Sequence, residues 1–145
     1  MICPYCSHPE TKVLDSRESE NSVRRRRECL ECSKRFTTYE RVEFDLIVVK
    51  KDGRHEPFNR EKLLKGISKA LEKRSVGSEK VEKLVNDVEQ DLRNLKSHEI
   101  QSRIIGDKVM KKLKSLDKVA YIRFASVYKE FKDIDDLAEE LKKVG

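Results

Sequence analysis

The chain has 145 residues, 41% of them Asp, Glu, Lys or Arg and 37% hydrophobic, which suits one ordinary domain or two small ones and argues against a multi-domain enzyme. The longest apolar run, Leu46 to Val49, is far short of the roughly 20 residues a membrane helix needs, and Met1-Ile2-Cys3-Pro4 opens without a signal-type apolar region, so a soluble cytoplasmic protein with no membrane partner is expected. Lys and Arg outnumber Asp and Glu by 33 to 27, and the resulting net charge of +6 favours polyanionic partners.

Cys3, Cys6, Cys29 and Cys32 form two Cys-x-x-Cys pairs with 22 residues between them, and no cysteine follows. Two residues between thiolates let a tight turn bring both sulfurs onto one ion, and two such turns complete the tetrahedral shell that zinc accepts. A disulfide framework would need an oxidising compartment, and a thioredoxin-like pair would leave the second Cys-x-x-Cys without a role. With four protein ligands no position stays open for water or substrate, so one structural zinc is expected. Lys12 to Asp15, Arg24 to Glu28 and Arg35 to Tyr39 read as three short strands of a zinc ribbon, with a polar turn-rich segment from Ser16 to Ser22. Such a module buries little core, so metal binding supplies most of its folding energy.

The ribbon also carries Arg24, Arg25, Arg26 and Arg27, then Lys34 and Arg35, beside only Glu28 and Glu31, a local excess of +4. Guanidinium groups match phosphate oxygens and the guanine edge, and Phe36 and Tyr39 lie beside them as apolar or stacking partners. The competing reading is a solvated strand whose arginines offset nearby acids and the net-negative zinc centre; four in succession on a metal-held scaffold favour nucleic acid. His8 would be a fifth ligand and is read as a surface residue.

After Arg41 the composition changes. Leu46 to Val49, Asp52-Gly53 and Arg54 to Phe58 predict a β-hairpin with a type I′ turn, whose two central residues both need positive φ. Helical stripes follow at Leu63, Leu64, Ile67, Ala70 and Leu71, then from Val81 to Leu95, then at Ile100, Ile104, Ile105, Val109 and Leu113. Asn59 and Ser97 are the expected N-caps of the first and third helices, and Asp117 precedes a fourth through Tyr121, Phe124, Ala125, Tyr128 and Phe131. A last short helix is expected from Ile134 to Lys143. This gives an α+β chain with a small zinc ribbon at 1–42, a mainly helical domain with an N-terminal hairpin at 43–132, and a helical tail at 133–145.

No phosphate-binding glycine loop is present, no cysteine is available after Cys32, and His55 and His98 lack catalytic partners, so an enzyme is not indicated. Lys50, Lys51, Asn59 and Lys62 are placed to converge on phosphates at a helix N-terminus, although on pattern alone lysines beside a turn read as ordinary surface charges.

Cys-Pro-Tyr-Cys, Val13 to Arg17, Arg24 to Cys32 and Lys34 to Glu40 together resemble the NrdR repressors of ribonucleotide reductase genes. Val49 to Leu63 is similar to an ATP-cone, and Asp117 to Tyr128 to that family's fourth-helix signature. The resemblance reverses the surface-charge reading of the lysines. It implies a ribbon that binds paired operator boxes on double-stranded DNA, and a cone that binds ATP or dATP with Mg2+ and sets the state of a homo-oligomer. On this sequence it places Val48, Lys50, Lys51, Arg54, Glu56, Asn59 and Lys62 around the nucleotide. Ser97 and Gln101 stand where reductase cones carry a threonine and a histidine on the opposite wall; the first change is conservative and the second a departure. Arg17, Arg24 to Arg27, Lys34 and Arg35 become the candidates for DNA contact, in a protein of the cytoplasm that joins the nucleoid when DNA-bound. The rivals are an RNA-binding zinc-ribbon protein without a ligand, and a regulatory subunit that binds the reductase itself.

Overall fold

A computed structural model of the chain describes every residue except Asn21 and Phe44. It divides into two compact units, Met1–Phe44 and Asp45–Gly145. In the first, β1 (Thr11–Glu18), β2 (Ser22–Cys29) and β3 (Arg35–Arg41) form an antiparallel sheet in the order β1-β2-β3. The strands are longer than the sequence suggests. Ser16 and Arg17, expected in a turn-rich connection, continue β1 and pair with Arg25 and Arg24, while a bulge between Val13 and Asp15 shifts the register. Among the described residues of this unit, only Cys3 and Cys29 are buried apolar side chains, too small a core to hold a sheet by the hydrophobic effect alone.

The second unit opens with β4 (Ile47–Val49) and β5 (His55–Pro57), an antiparallel hairpin. Its turn differs from the expected type I′. Gly53 has φ of 86° and Asp52 is not left-handed, while Gly53 N–H donates to Lys50 carbonyl and Lys50 N–H to Arg54 carbonyl. That is a three-residue loop, one residue longer than a type I′ hairpin, in which the turn from Lys50 to Gly53 ends on a left-handed glycine that re-registers the second strand. The helices are α1 (Arg60–Ala70), α2 (Ser78–Asn94), α3 (Ser102–Leu116), α4 (Lys118–Tyr128) and α5 (Ile134–Val144), with β6 (Glu99–Gln101) between α2 and α3.

The strand β6 corrects two expectations. Ile100, counted in the third helical stripe, is a buried strand residue paired in parallel with Val48. Ser97 does not cap α3: its hydroxyl donates to the Glu99 carbonyl and accepts from Glu99 N–H, turning the chain into β6, and Gln101 occupies the position before the helix. Leu95, assigned to the second stripe, is half exposed beyond the end of α2, and Phe131 lies past the end of α4. Asn59 does cap α1, its Oδ1 accepting from Lys62 N–H at 3.1 Å, and Asp117 caps α4 through Ala120 N–H at 2.9 Å.

The core gathers one apolar face from each of the first four helices: Ile67, Val85, Val88, Leu92, Val109, Leu113, Ala120 and Ala125 are all buried. Polar ties fix the periphery. Arg123 caps the C-terminus of α1 by donating to the Glu72 carbonyl at 2.6 Å, and Arg74 pairs with Asp117 at 2.9 Å; the Ala120 amide, and after it Arg74, hold that carboxyl below its usual range. The helix α5 packs on α4 through Glu140, which is 3% exposed and accepts from the Tyr121 hydroxyl and from Lys129 Nζ at 3.0 Å.

Candidate functional site

The cysteine pairs sit on two near-identical turns. Ser7 N–H donates to Cys3 carbonyl and Ser33 N–H to Cys29 carbonyl; Cys3 N–H donates to His8 carbonyl and Cys29 N–H to Lys34 carbonyl. Ser7 and Ser33 both adopt left-handed φ, 64° and 60°, which bends each turn sharply after its second cysteine. All four sulfurs lie within 4.8 Å of one another, with Cys3 to Cys32 at 3.7 Å and Cys6 to Cys29 at 3.5 Å. Four sulfurs about 2.3 Å from one zinc are about 3.8 Å apart in a tetrahedron. The Tyr5 amide points at Cys3 Sγ at 3.4 Å and the Glu31 amide at Cys29 Sγ at 3.4 Å, donors that stabilise thiolate. The donor set fits zinc held by Cys3, Cys6, Cys29 and Cys32, where it supplies a cross-link between the two turns.

Strand alternation divides the arginine run between two faces of the sheet. Arg25 donates to Glu40 at 2.6 Å and to Ser16 Oγ at 3.1 Å, and Arg27 donates to Thr38 Oγ1 at 2.9 Å. On the other face Arg26 donates to Thr37 Oγ1 at 2.9 Å, while Arg24 stands abreast of Arg17 and Tyr39 and makes no hydrogen bond or ion pair among the described residues. Tyr39 is 55% exposed, with the Arg41 guanidinium 5.3 Å from its ring. Arg17 pairs with Asp15 and Arg35 with Glu28; the Lys34 ammonium lies 4.9 Å over the Tyr5 ring. The face of Arg17, Arg24 and Tyr39 thus offers guanidinium groups beside an open aromatic ring. Phe36, the other aromatic of this strand, is half buried opposite Arg27.

In the second unit a cavity of about 550 Å³ opens between the β4–β5 turn, the capped N-terminus of α1 and the facing sides of α3 and α4. Val48, Lys50, Lys51, Arg54, Glu56, Asn59 and Lys62 all line it. Lys50 Nζ lies 3.0 Å and Lys62 Nζ 3.3 Å from one oxygen of Glu56, so the two lysines hold that carboxyl below its usual range. Arg54 is steadied by Asp52 at 2.6 Å. Four cations therefore converge where the α1 N-terminus adds its own positive dipole end.

Ser97 and Gln101 are not among the lining residues; Ser97 sits in the turn before β6 and Gln101 at its end, paired with Val49. Ser102 does line the cavity. Its opposite wall is apolar, built from Leu63, Ile105, Val109, Phe124 and Tyr128 around Gly106. A Cβ at Gly106 would lie 2.2 Å from the Tyr128 ring, so this helical position must be glycine for the ring to seat. Tyr128 donates to the Arg103 carbonyl at 2.7 Å, and burial with Asp107 nearby pushes its phenol up to about 12. From the sequence these wall residues read only as core stripe, since nothing in a helical period separates a side chain facing a cavity from one facing a neighbour. Gly106, mid-helix, is a signal in the period itself, and the Asp117 to Tyr128 resemblance is the other. The arrangement suits a ligand with an anionic end and a flat apolar end.

Two families match the chain: the ATP cone domain over residues 46–134, and the Transcriptional repressor NrdR-like N-terminal domain over residues 1–40. Curated relatives named Transcriptional repressor NrdR align along nearly all of it. That of Desulforapulum autotrophicum is 57% identical over 98% of this chain and 88% of its own. That of Pelotomaculum thermopropionicum is also 57% identical, over 98% and 87%, and that of Petrotoga mobilis 54% identical, over 99% and 98%. These names describe a regulatory role and not an enzymatic one. Among the described residues, no helix is long and apolar enough to cross a membrane.

Proposed function

The chain belongs to the NrdR family of transcriptional repressors, and we propose that it represses ribonucleotide reductase genes by binding paired operator boxes in a manner set by ATP or dATP. Residues 1–42 act as the zinc-dependent DNA reader, 43–132 as the nucleotide sensor, and 133–145 as a helical tail. The observation that carries this reading is the two-ended cavity, in which Lys50, Lys51, Arg54 and Lys62 converge opposite the apolar wall of Ile105, Phe124 and Tyr128. The cations suit a triphosphate, the capped N-terminus of α1 adds backbone donors, and the aromatic wall suits adenine. Mg2+ would enter with the phosphates, since it keeps several waters and needs few protein ligands.

The basic face of the ribbon supports the DNA assignment. Arg24 and Arg17, beside exposed Tyr39, present the fork geometry that matches phosphate and guanine edges. Arg25 and Arg27, tied to side chains of the sheet, hold the strands in register, with Lys34 and Arg35 at the zinc-proximal end. Ser97 and Gln101, off the cavity lining, carry no part of this reading.

A ligand switches a repressor only through unequal affinity for its assemblies. dATP favours a homo-oligomer whose ribbons are spaced to match two boxes, and ATP favours one in which they are not. Two ribbons on one DNA then turn a weak contact into a tight one. The test is fluorescence anisotropy on a duplex carrying both boxes, with dATP, with ATP and without nucleotide. Tighter binding with dATP is expected; equal affinity in all three conditions would overturn the switch.

A further inference from the structure

The positive charge of this chain is not where the arginine run suggests. Residues 1–44 carry nine Lys and Arg against eight Asp and Glu, whereas residues 45–145 carry twenty-four against nineteen. The ribbon is thus nearly neutral as a whole, and a zinc tetrathiolate makes it less positive still. Five of the six net charges sit in the second unit.

Part of that excess is organised. A groove of about 550 Å³ between α2 and α3 is lined by Lys80 and Lys83 from one helix and by Lys108, Lys111 and Lys112 from the other. The three from α3 follow the i, i+3, i+4 spacing that puts them on one face. Two of the five are neutralised in place, Lys83 by Asp87 at 3.0 Å and Lys112 by Asp91 at 3.1 Å. Lys80, Lys108 and Lys111 have no ion pair among the described residues, so three ammonium groups share one groove uncompensated. Like charges held together this way cost stability unless a polyanion screens them. This groove is separate from the nucleotide cavity: no residue lines both.

We propose that the α2–α3 groove binds the phosphodiester backbone of duplex DNA, as a sequence-independent contact added to that of the ribbon. The inference rests on the reading of the chain as a DNA-binding repressor. Its composition selects the ligand. No arginine lines the groove, so nothing there offers the bidentate fork that reads a guanine edge, and no aromatic residue lines it, so nothing stacks on the bases of a single strand. What remains is a row of flexible point charges, which suits phosphates spaced along a duplex. An acidic protein segment fits less well, because the two leucines that line the groove, Leu84 at 5% exposed and Leu116 half buried, leave its five lysines as the main contacts for a partner.

The test uses the full-length, zinc-loaded protein and a variant with Lys80→Gln, Lys108→Gln and Lys111→Gln. Affinity is measured across a salt series for an operator duplex and for an unrelated duplex of equal length. Each phosphate contact contributes about 0.9 to the slope of log K against log salt, so the variant's slope should be shallower by about 1 to 3. At low salt its affinity should fall by roughly tenfold or more on both duplexes alike, because phosphate contacts carry no sequence information. Melting temperature should be no lower than the parent's, nucleotide affinity and zinc content should match it, and Lys→Arg at the same positions should restore the slope. An unchanged slope in a folded variant, while the parent binds DNA, would overturn this inference alone. So would a changed oligomeric mass with the slope retained, which would assign the groove to a protein partner. A parent that binds no duplex at any salt would remove the repressor reading and this one with it.

Discussion

Gly106 sits in the middle of α3, where glycine costs about 1 kcal/mol relative to alanine, yet a Cβ there would meet Cε2 of Tyr128 at 2.2 Å. The ring has little freedom to yield, because its hydroxyl is fixed on the Arg103 carbonyl and it packs against Phe124 with centroids 6.0 Å apart. Gly106→Ala should therefore lose more by displacing the cavity wall than it gains in helix propensity. The expected net cost is about 1–3 kcal/mol, read as a lower melting temperature, together with weaker nucleotide binding. Lys62 acts at the other end of the cavity, 3.3 Å from Glu56 and one turn into α1. Lys62→Gln should weaken nucleotide affinity roughly tenfold, about 1.4 kcal/mol, while zinc content stays at one per chain; unchanged affinity by calorimetry would remove Lys62 from the site. The lysines and Asn59 were legible in the sequence because a cap, a turn and nearby positive charges form a short-range pattern. Tyr128 and Phe124 were not, because their role depends on which side of α4 faces the opening.

The helix α5 buries two side chains, Val144 and the carboxylate of Glu140, and the second carries its polar ties to α4. Burial would raise the pKa of Glu140, but the Tyr121 hydroxyl and Lys129 outweigh it and hold the group below its ordinary value, while Tyr121 itself is pushed up to about 12. A lowered carboxyl pKa in the folded state contributes stability in full above its unfolded value, about 4.3, and loses it as pH falls through the folded value. The stability difference between the parent and Glu140→Gln should thus be constant near neutral pH and shrink to nothing in acid, as measured by urea unfolding from pH 7 to pH 3. Glu140→Ala leaves the Tyr121 hydroxyl unpaired and should cost about 1–3 kcal/mol at pH 7, roughly 4–8 °C of melting temperature per kcal/mol for a unit of this size. A melting curve superimposable on the parent's would show that the Glu140 contacts do not stabilise the unit.

The same scale shows why some elements were hidden. The first, second and fourth helices announced themselves through long stripes and two caps. The strand β6 did not, because it has three residues and its single buried side chain, Ile100, fits the helical period of α3; only its parallel pairing with Val48 gives it away, and that contact is far apart in sequence. Ser97 has the side chain of an N-cap, and the same hydroxyl serves equally well in the turn that precedes a strand. Asp-Gly announced a hairpin but not its turn type, since a left-handed glycine fits several.

At the scale of the molecule, the two units are held by different physics. The second buries an apolar core contributed by four helices, whereas the first has Cys3 and Cys29 as its buried apolar residues among those described. Removal of zinc by a chelator should unfold residues 3 to about 41 and leave the second unit intact. Limited proteolysis would then release an intact fragment of the C-terminal unit, and circular dichroism would lose sheet signal while keeping helix signal. An unchanged digestion pattern after complete loss of metal would mean the ribbon is stable without it. The ribbon was the most legible part of the chain, because Cys-x-x-Cys spacing fixes geometry locally; the α2–α3 lysine groove was invisible, because its charges come from two helices far apart in sequence.

If nucleotide controls DNA affinity, DNA must control nucleotide affinity by the same factor, because the coupling free energy is shared. The decisive measurement is calorimetric titration of dATP into the zinc-loaded protein, alone and saturated with a duplex carrying two operator boxes. The expected result is tighter dATP binding in the presence of the duplex, by the same factor by which dATP tightens operator binding. Identical dATP affinity with and without the duplex would contradict a nucleotide-gated repressor and leave two functions that share a chain without communicating.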